Sequence, residues 1–222
     1  MMLRRTALLF GCACAAFAHD PITTKLTWSR EVSRIVYKHC ANCHRDGGSA
    51  MSLLNYQDAR PWAKAIKEEV LERRMPPWGA VKGFGDFSND ISLSQEELDL
   101  VAQWVEGGAP EGDSKYLPAA PVFSPAHAEK LYGGEIVESR LVLKKPVKLE
   151  GVRPLGSVAS TQVIATKPDG SIEPLLWLHG YDSKWNRTFL YREPVVLPAG
   201  TVIAVEPPAR IALITGAPKQ AR

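Results

Sequence analysis

Between residues 28 and 106 the apolar positions recur at helical spacing. In "WSREVSRIVYKHC" Val32, Ile35, Val36 and Cys40 fall at i, i+3, i+4 and i+8, which marks one face of a helix with Ser29 as its N-cap. "DARPWAKAIKEEVLERR" repeats the rhythm with Ala63, Ile66, Val70 and Leu71. Pro61 suits its first turn, and Met75-Pro76-Pro77 stops it, because proline has no N–H to donate and crowds the turn before it. "LSQEELDLVAQWVEGGAP" predicts a third helix. Ser94 and Glu97 open it as a capping box, Leu98, Val101, Ala102 and Val105 line it, and Gly107-Gly108 closes it.

After residue 110 the period changes. Pro110 to Pro125 is rich in Pro, Gly, Ala and Ser, the composition of a linker. Beyond it come "EIVESRLVL", "VKLEGV", "STQVIATK", "EPLLWLH", "TFLYREPVVL", "TVIAVEP" and "RIALIT", short runs rich in β-branched and aromatic residues. Turn formers such as Pro168-Asp169-Gly170-Ser171 and Pro198-Ala199-Gly200 separate them, which predicts an antiparallel β-sandwich. The expected class is α + β and multidomain, and a sandwich begun near Pro121 should fold alone.

The chain has 222 residues, 45% of them hydrophobic, enough for one large or two modest cores. Its opening, MMLRRTALLFGCACAAFAHD, has a basic start, an apolar run from Thr6 to Phe17 and the small-x-small triplet Ala16-Phe17-Ala18. This is the pattern of a signal peptide over residues 1–18, cleaved near Ala18 to give a periplasmic or secreted protein that begins at His19. Leu9-Phe10-Gly11-Cys12 offers a minor alternative, lipidation at Cys12. No later stretch approaches the roughly 20 apolar residues of a spanning helix, so no transmembrane segment is expected in the mature chain. The net charge of +3 includes Arg4 and Arg5; without them 25 basic residues face 24 acidic ones, a net of +1. That balance gives no footprint for nucleic acid.

Signal cleavage leaves Cys40 and Cys43 as the mature chain's cysteines, inside "CANCHRDGG". Zinc needs further Cys or His ligands at compatible spacing, and a thioredoxin-like pair needs a βαβ setting; neither is present here. C-x-x-C-H is instead the attachment sequence of c-type haem. Cys40 and Cys43 would form thioethers with the porphyrin vinyl groups, and His44 would be the proximal iron ligand. One covalent haem c per chain is expected. Met75, stiffened by Pro76-Pro77, is the preferred second axial ligand; Met51 and His39 are the alternatives. Trp62, Trp78 and Tyr56 are expected to pack at the haem edge or in the core.

Residues 27–118, with "CANCHRDGG", "MSLLNYQDARPWAKAIKEEVLERRMPPW" and "FSNDISLSQEELDLVAQWVEGGAPEGD", resemble the cytochrome c domain that precedes copper type II, ascorbate-dependent monooxygenase-like domains in bacterial proteins. The resemblance implies a class I-like helical cytochrome c domain with His44 and Met75 as axial ligands. "GVRPLGSVASTQVIATKPDGSIEPLLWLHGYDSKWNRTFLYREPVVLPAGTVIAV" is similar to the second β-sandwich of the peptidylglycine-monooxygenase-like fold, which implies a jelly-roll-like sandwich. The expected organisation is signal peptide 1–18, haem domain 19–113, linker 114–134 and sandwich 135–217.

The sequence departs from that family at its copper site. A His-x-His pair is expected just after the position of Arg153-Pro154, where this chain has Leu155 and Ser157, and no methionine follows Met75. Copper is therefore not expected. His179 reads as a strand-end histidine and His127 as a solvated linker residue. His19, as a mature N-terminus, would chelate copper only with a second histidine at hand.

The primary functional expectation is an electron carrier with redox protein partners, since a six-coordinate haem leaves no open position for substrate. One alternative is an enzyme in which haem feeds a metal in the sandwich. The other is a binding module that docks the cytochrome on a partner through a surface including Trp185.

Overall fold

The computed structural model describes residues 24–123 and 134–216. The expected export signal, Cys12, Cys14, His19 and His127 lie outside the described residues. A set of short helices precedes two four-stranded antiparallel sheets. No helix among the described residues is long and apolar enough to cross a membrane.

The first helix opens with a π-helical turn, Trp28–Val32, and continues as α1, Ser33–His39. Its N-cap is Thr27 rather than the expected Ser29. The Thr27 hydroxyl accepts from the Arg30 N–H at 3.2 Å, and the Glu31 carboxylate accepts from the Thr27 N–H at 2.8 Å. Ser29 is buried in the first turn, and its amide donates to the Glu111 carbonyl while that of Trp28 donates to Pro110. Chain returning from the last helix thus satisfies two of the donors every helix start leaves open.

Tyr56–Ala59 forms α2, capped by the Asn55 side chain, and a 3-10 turn, Arg60–Trp62, carries Pro61 into α3, Ala63–Leu71. The latter helix stops four residues before Met75, because Arg73 takes a left-handed conformation at φ 59°. The amides of Arg74 and Met75 then both donate back to the Glu69 carbonyl, at 2.9 and 3.1 Å. Leu71 is exposed rather than on the buried face. The last helix, α4, Gln95–Glu106, starts with the Ser94–Glu97 capping box and ends at Gly107. Trp104 is fully buried there against Trp28, 6.2 Å between ring centroids, and its Nε1–H donates to the Pro110 carbonyl.

The strands are β1 (Gly134–Val137), β2 (Arg140–Val142), β3 (Val147–Pro154), β4 (Val158–Thr166), β5 (Ile172–Tyr181), β6 (Phe189–Leu197), β7 (Val202–Glu206) and β8 (Ile211–Ile214). One sheet runs β1-β8-β3-β6 and the other β2-β7-β4-β5. The run "EIVESRLVL" contains two strands, because the chain changes sheets at Glu138-Ser139. The carbonyls at that corner accept from Ala209 and Val205. Leu149, Val163, Leu176, Leu178, Phe189 and Ile203 are among the side chains that fill the space between the sheets without exposure.

Two of the rings in that core come from outside the strands. Trp78 and Phe87, on the segment between α3 and α4, are buried to 3% and 5% exposure within the sandwich cluster. That segment is a strap along the two neighbouring edge strands. Its first part pairs with β5: the Gly79 carbonyl accepts from the His179 N–H, Ala80 bridges Leu178, and Val81 N–H donates to Trp177. Its second part pairs with β6: the Asp86 carbonyl accepts from the Arg192 N–H, Phe87 bridges Tyr191, and Ser88 N–H donates to Leu190. Exposed strand edges invite foreign pairing, and the strap covers both. Gly79 permits the approach: its φ is +76°, and a Cβ there would lie 3.2 Å from the Tyr181 and Trp185 rings.

Candidate functional site

Helix α1 delivers the chain to Cys40, whose amide still donates to the Val36 carbonyl at 2.9 Å. The chain then turns tightly, and the Cys40 carbonyl accepts from both Cys43 N–H at 3.1 Å and His44 N–H at 2.9 Å. Both cysteines are free thiols and half-buried. Burial, with a smaller contribution from Cys43, pushes the Cys40 thiol up to about 12, so it is held as the neutral S–H.

The next segment clamps this turn. Ala50 N–H donates to the Cys43 carbonyl at 3.2 Å and Leu53 N–H to the His44 carbonyl at 3.1 Å. A Cβ on Gly48 would sit 2.3 Å from the Cys43 carbonyl oxygen, so only glycine fits where the loop folds onto the motif.

His44 Nδ1 lies 3.0 Å from the Met51 carbonyl oxygen. A carbonyl can only accept, so Nδ1 carries the proton, and the neutral imidazole keeps its lone pair on Nε2. This is the tautomer and orienting bond that metal-ligating histidines generally use. Met51 therefore matters through its backbone, a role that residue type could not reveal.

Of the expected axial alternatives, His39 is committed elsewhere. Its side chain is 4% exposed, with Nδ1 2.9 Å from the Ile91 carbonyl and Nε2 3.0 Å from the Glu97 carboxylate. Burial opposes ionisation of Glu97, but the Ser94 amide and the His39 and Lys38 side chains outweigh it and hold its carboxyl at about 2. Met75 is 41% exposed and Met51 47%. Trp62 and Leu71 are exposed too, so large apolar side chains follow the motif uncovered by protein. Trp78 belongs to the sandwich core, and the Tyr56 hydroxyl donates to the Ala109 carbonyl.

Cys40, Cys43 and His44 share one clamped turn, with two free thiols and an imidazole whose Nε2 lone pair is available, which is the donor chemistry a c-type haem requires of that turn. Among the described residues no group of three or more His, Cys, Asp or Glu could hold a metal ion by itself. A haem needs no such cluster, because its porphyrin supplies four of the iron's ligands.

In the sandwich, Leu155 and Ser157 line a shallow hollow of about 320 Å³ with Arg210 and Pro208. The Ser157 hydroxyl is 3.0 Å from that of Ser183 and accepts from the Ser183 N–H at 2.9 Å. His179 is exposed on β5, opposite Ser160. Trp185 is half-buried and meets Tyr181 edge-on at 5.6 Å.

Neither the family models, the curated proteins nor the solved structures compared with this chain give a match.

Proposed function

We propose that this chain is an exported c-type cytochrome that carries electrons between redox protein partners. Cys40 and Cys43 would hold one haem covalently, and His44 and Met75 would ligate its iron. The observation that carries the reading is the His44 Nδ1 to Met51 carbonyl bond within the clamped C-x-x-C-H turn. It leaves Nε2 free to bind iron, next to two thiols that no disulfide consumes.

A haem bound there would supply a one-electron iron couple. The chain's own residues set its conditions. The Met51 carbonyl holds the His44 ring and raises its basicity; the Met75 thioether would favour ferrous iron, and Cys40 and Cys43 would each add S–H across a vinyl double bond of the porphyrin. The strand order 1-8-3-6 over 2-7-4-5 is that of a double-sheet jelly roll, which supports the jelly-roll-like reading of the sandwich. The quoted stretches within residues 27–118 support the resemblance to cytochrome c domains of copper monooxygenase-like proteins, and the opening signal pattern supports periplasmic or secreted location.

Redox titration of purified holoprotein tests the ligand set. Met75→Ala should abolish the ferric sulfur-to-iron charge-transfer band and lower the potential, whereas Met51→Ala and His39→Gln should keep the band. Retention of the band in Met75→Ala would remove Met75 from the iron.

A further inference from the structure

Met75 stands between two anchors on different parts of the molecule. Upstream, its amide donates to the Glu69 carbonyl of α3 at 3.1 Å. Downstream, Trp78 is 3% exposed in the sandwich core, edge-on to Phe189 at 4.7 Å and to Phe87 at 6.1 Å. Only Pro76 and Pro77 intervene. Proline locks its own φ and restricts the residue before it, so this link has little slack.

The second anchor is itself fastened. Gly79, Ala80 and Val81 pair with β5, and Phe84 packs edge-on against Trp177 with centroids 5.4 Å apart. Moving Trp78 would require peeling strap from strand and emptying part of an aromatic cluster. The backbone beside the Met75 thioether is therefore located by the sandwich as much as by the helices. An exposed methionine has rotatable bonds to spend, and fixing the chain on both sides of it limits where its sulfur can go.

We propose that Trp78 is a positioning residue for the haem's sixth ligand: buried in the sandwich core and joined to Met75 by two prolines, it holds the thioether on the iron, so the sandwich sets the cytochrome's reduction potential. This rests on the reading of Met75 as ligand.

The test uses full-length holoprotein in four forms besides wild type: Met75→Ala, Trp78→Ala, Trp78→Phe, and a Gly-Gly insertion between Pro77 and Trp78. The insertion slackens the link and leaves Trp78 free to fill its place in the core. Haem staining on denaturing gels, near-ultraviolet circular dichroism, the ferric sulfur-to-iron band and the potential are read for each. Wild type should show the band and Met75→Ala should lose it; any other pattern overturns the ligand reading, and this proposal with it. The insertion variant should keep covalent haem and the aromatic dichroism of the folded sandwich, yet lose most of the band and show a potential close to that of Met75→Ala. Trp78→Ala should lose the band as well, and Trp78→Phe should recover at least half of it. An insertion variant with wild-type band and potential would overturn the proposal while leaving Met75 as the ligand.

Discussion

The indole of Trp78 meets the ring of Phe189 edge-on, with centroids 4.7 Å apart and planes at 67°. One ring lies three residues after Met75, the other on β6 more than a hundred residues later. Phe87 joins them, tilted against Phe189 at 5.4 Å and stacked on Tyr191 at 5.3 Å. The cluster makes the loop between α3 and α4 a component of the sandwich core.

Truncating Trp78 or Phe87 to alanine should therefore destabilise the sandwich by about 3–5 kcal/mol each, the usual cost of emptying a buried aromatic site. Denaturant unfolding followed by tryptophan and tyrosine signals would read it. A fragment begun at Pro121 leaves both rings behind and uncovers the edges of β5 and β6. It should fold, as the strand pattern leads one to expect, but unfold at lower denaturant than full-length protein. A fragment as stable as the intact chain would show that the strap only rests on the sandwich.

Acid should act on the helices through Glu97. Its carboxyl is held at about 2 in the folded chain against the 4.5 of an ordinary glutamate, so the folded state binds the proton more weakly. Its contribution is complete above about pH 4.5 and is lost as pH falls through about 2. Urea midpoints of the wild type should decline over that window. Glu97→Ala should flatten the decline and cost about 1 kcal/mol at neutral pH from the lost capping bond. Parallel acid limbs in the two proteins would contradict the assignment.

Copper should find no tight site in the full-length protein. The hollow at Leu155 and Ser157 offers an aliphatic side chain and a hydroxyl already bonded to Ser183, and no thioether follows Met75 in the sequence. Two imidazoles and a thioether would be needed together for a type II centre like that of copper monooxygenases. Calorimetric titration with copper(II) should show only weak, non-stoichiometric heat. A tight equimolar isotherm with a resolved type II spectrum would restore the enzyme reading.

Local chemistry was legible in the sequence where local rules govern it. The Ser94–Glu97 capping box, the buried face of α1 and the strand runs all depend on residues within a few positions of one another, whereas α4 buries Trp104 with Leu98 and Val101 and leaves the expected Ala102 and Val105 half-buried. Three features were not legible because distant chain decides them. Thr27 caps the first helix since Pro110 and Glu111 return to bond Trp28 and Ser29. The run through Glu138 divides because the corner carbonyls are met by Val205 and Ala209. Trp78 resembled a residue of the haem surroundings by its nearness to Met75, but strand edges far along the chain draw it into another core. The His44 orienting bond ends on a backbone carbonyl, which every residue possesses, so side-chain identity carried no signal for it.

Covalent haem at Cys40 and Cys43 is what would make this chain a cytochrome, and it can be read from the intact mass of denatured protein matured in an exporting host with c-type haem assembly. Wild type should carry the mass of one haem, Cys40→Ala and Cys43→Ala together should carry none, and haem peptides from a digest should contain the Cys40–His44 turn. Wild-type protein recovered from such a host at the bare polypeptide mass, or with haem that extracts into acidified organic solvent, would contradict covalent attachment at these cysteines.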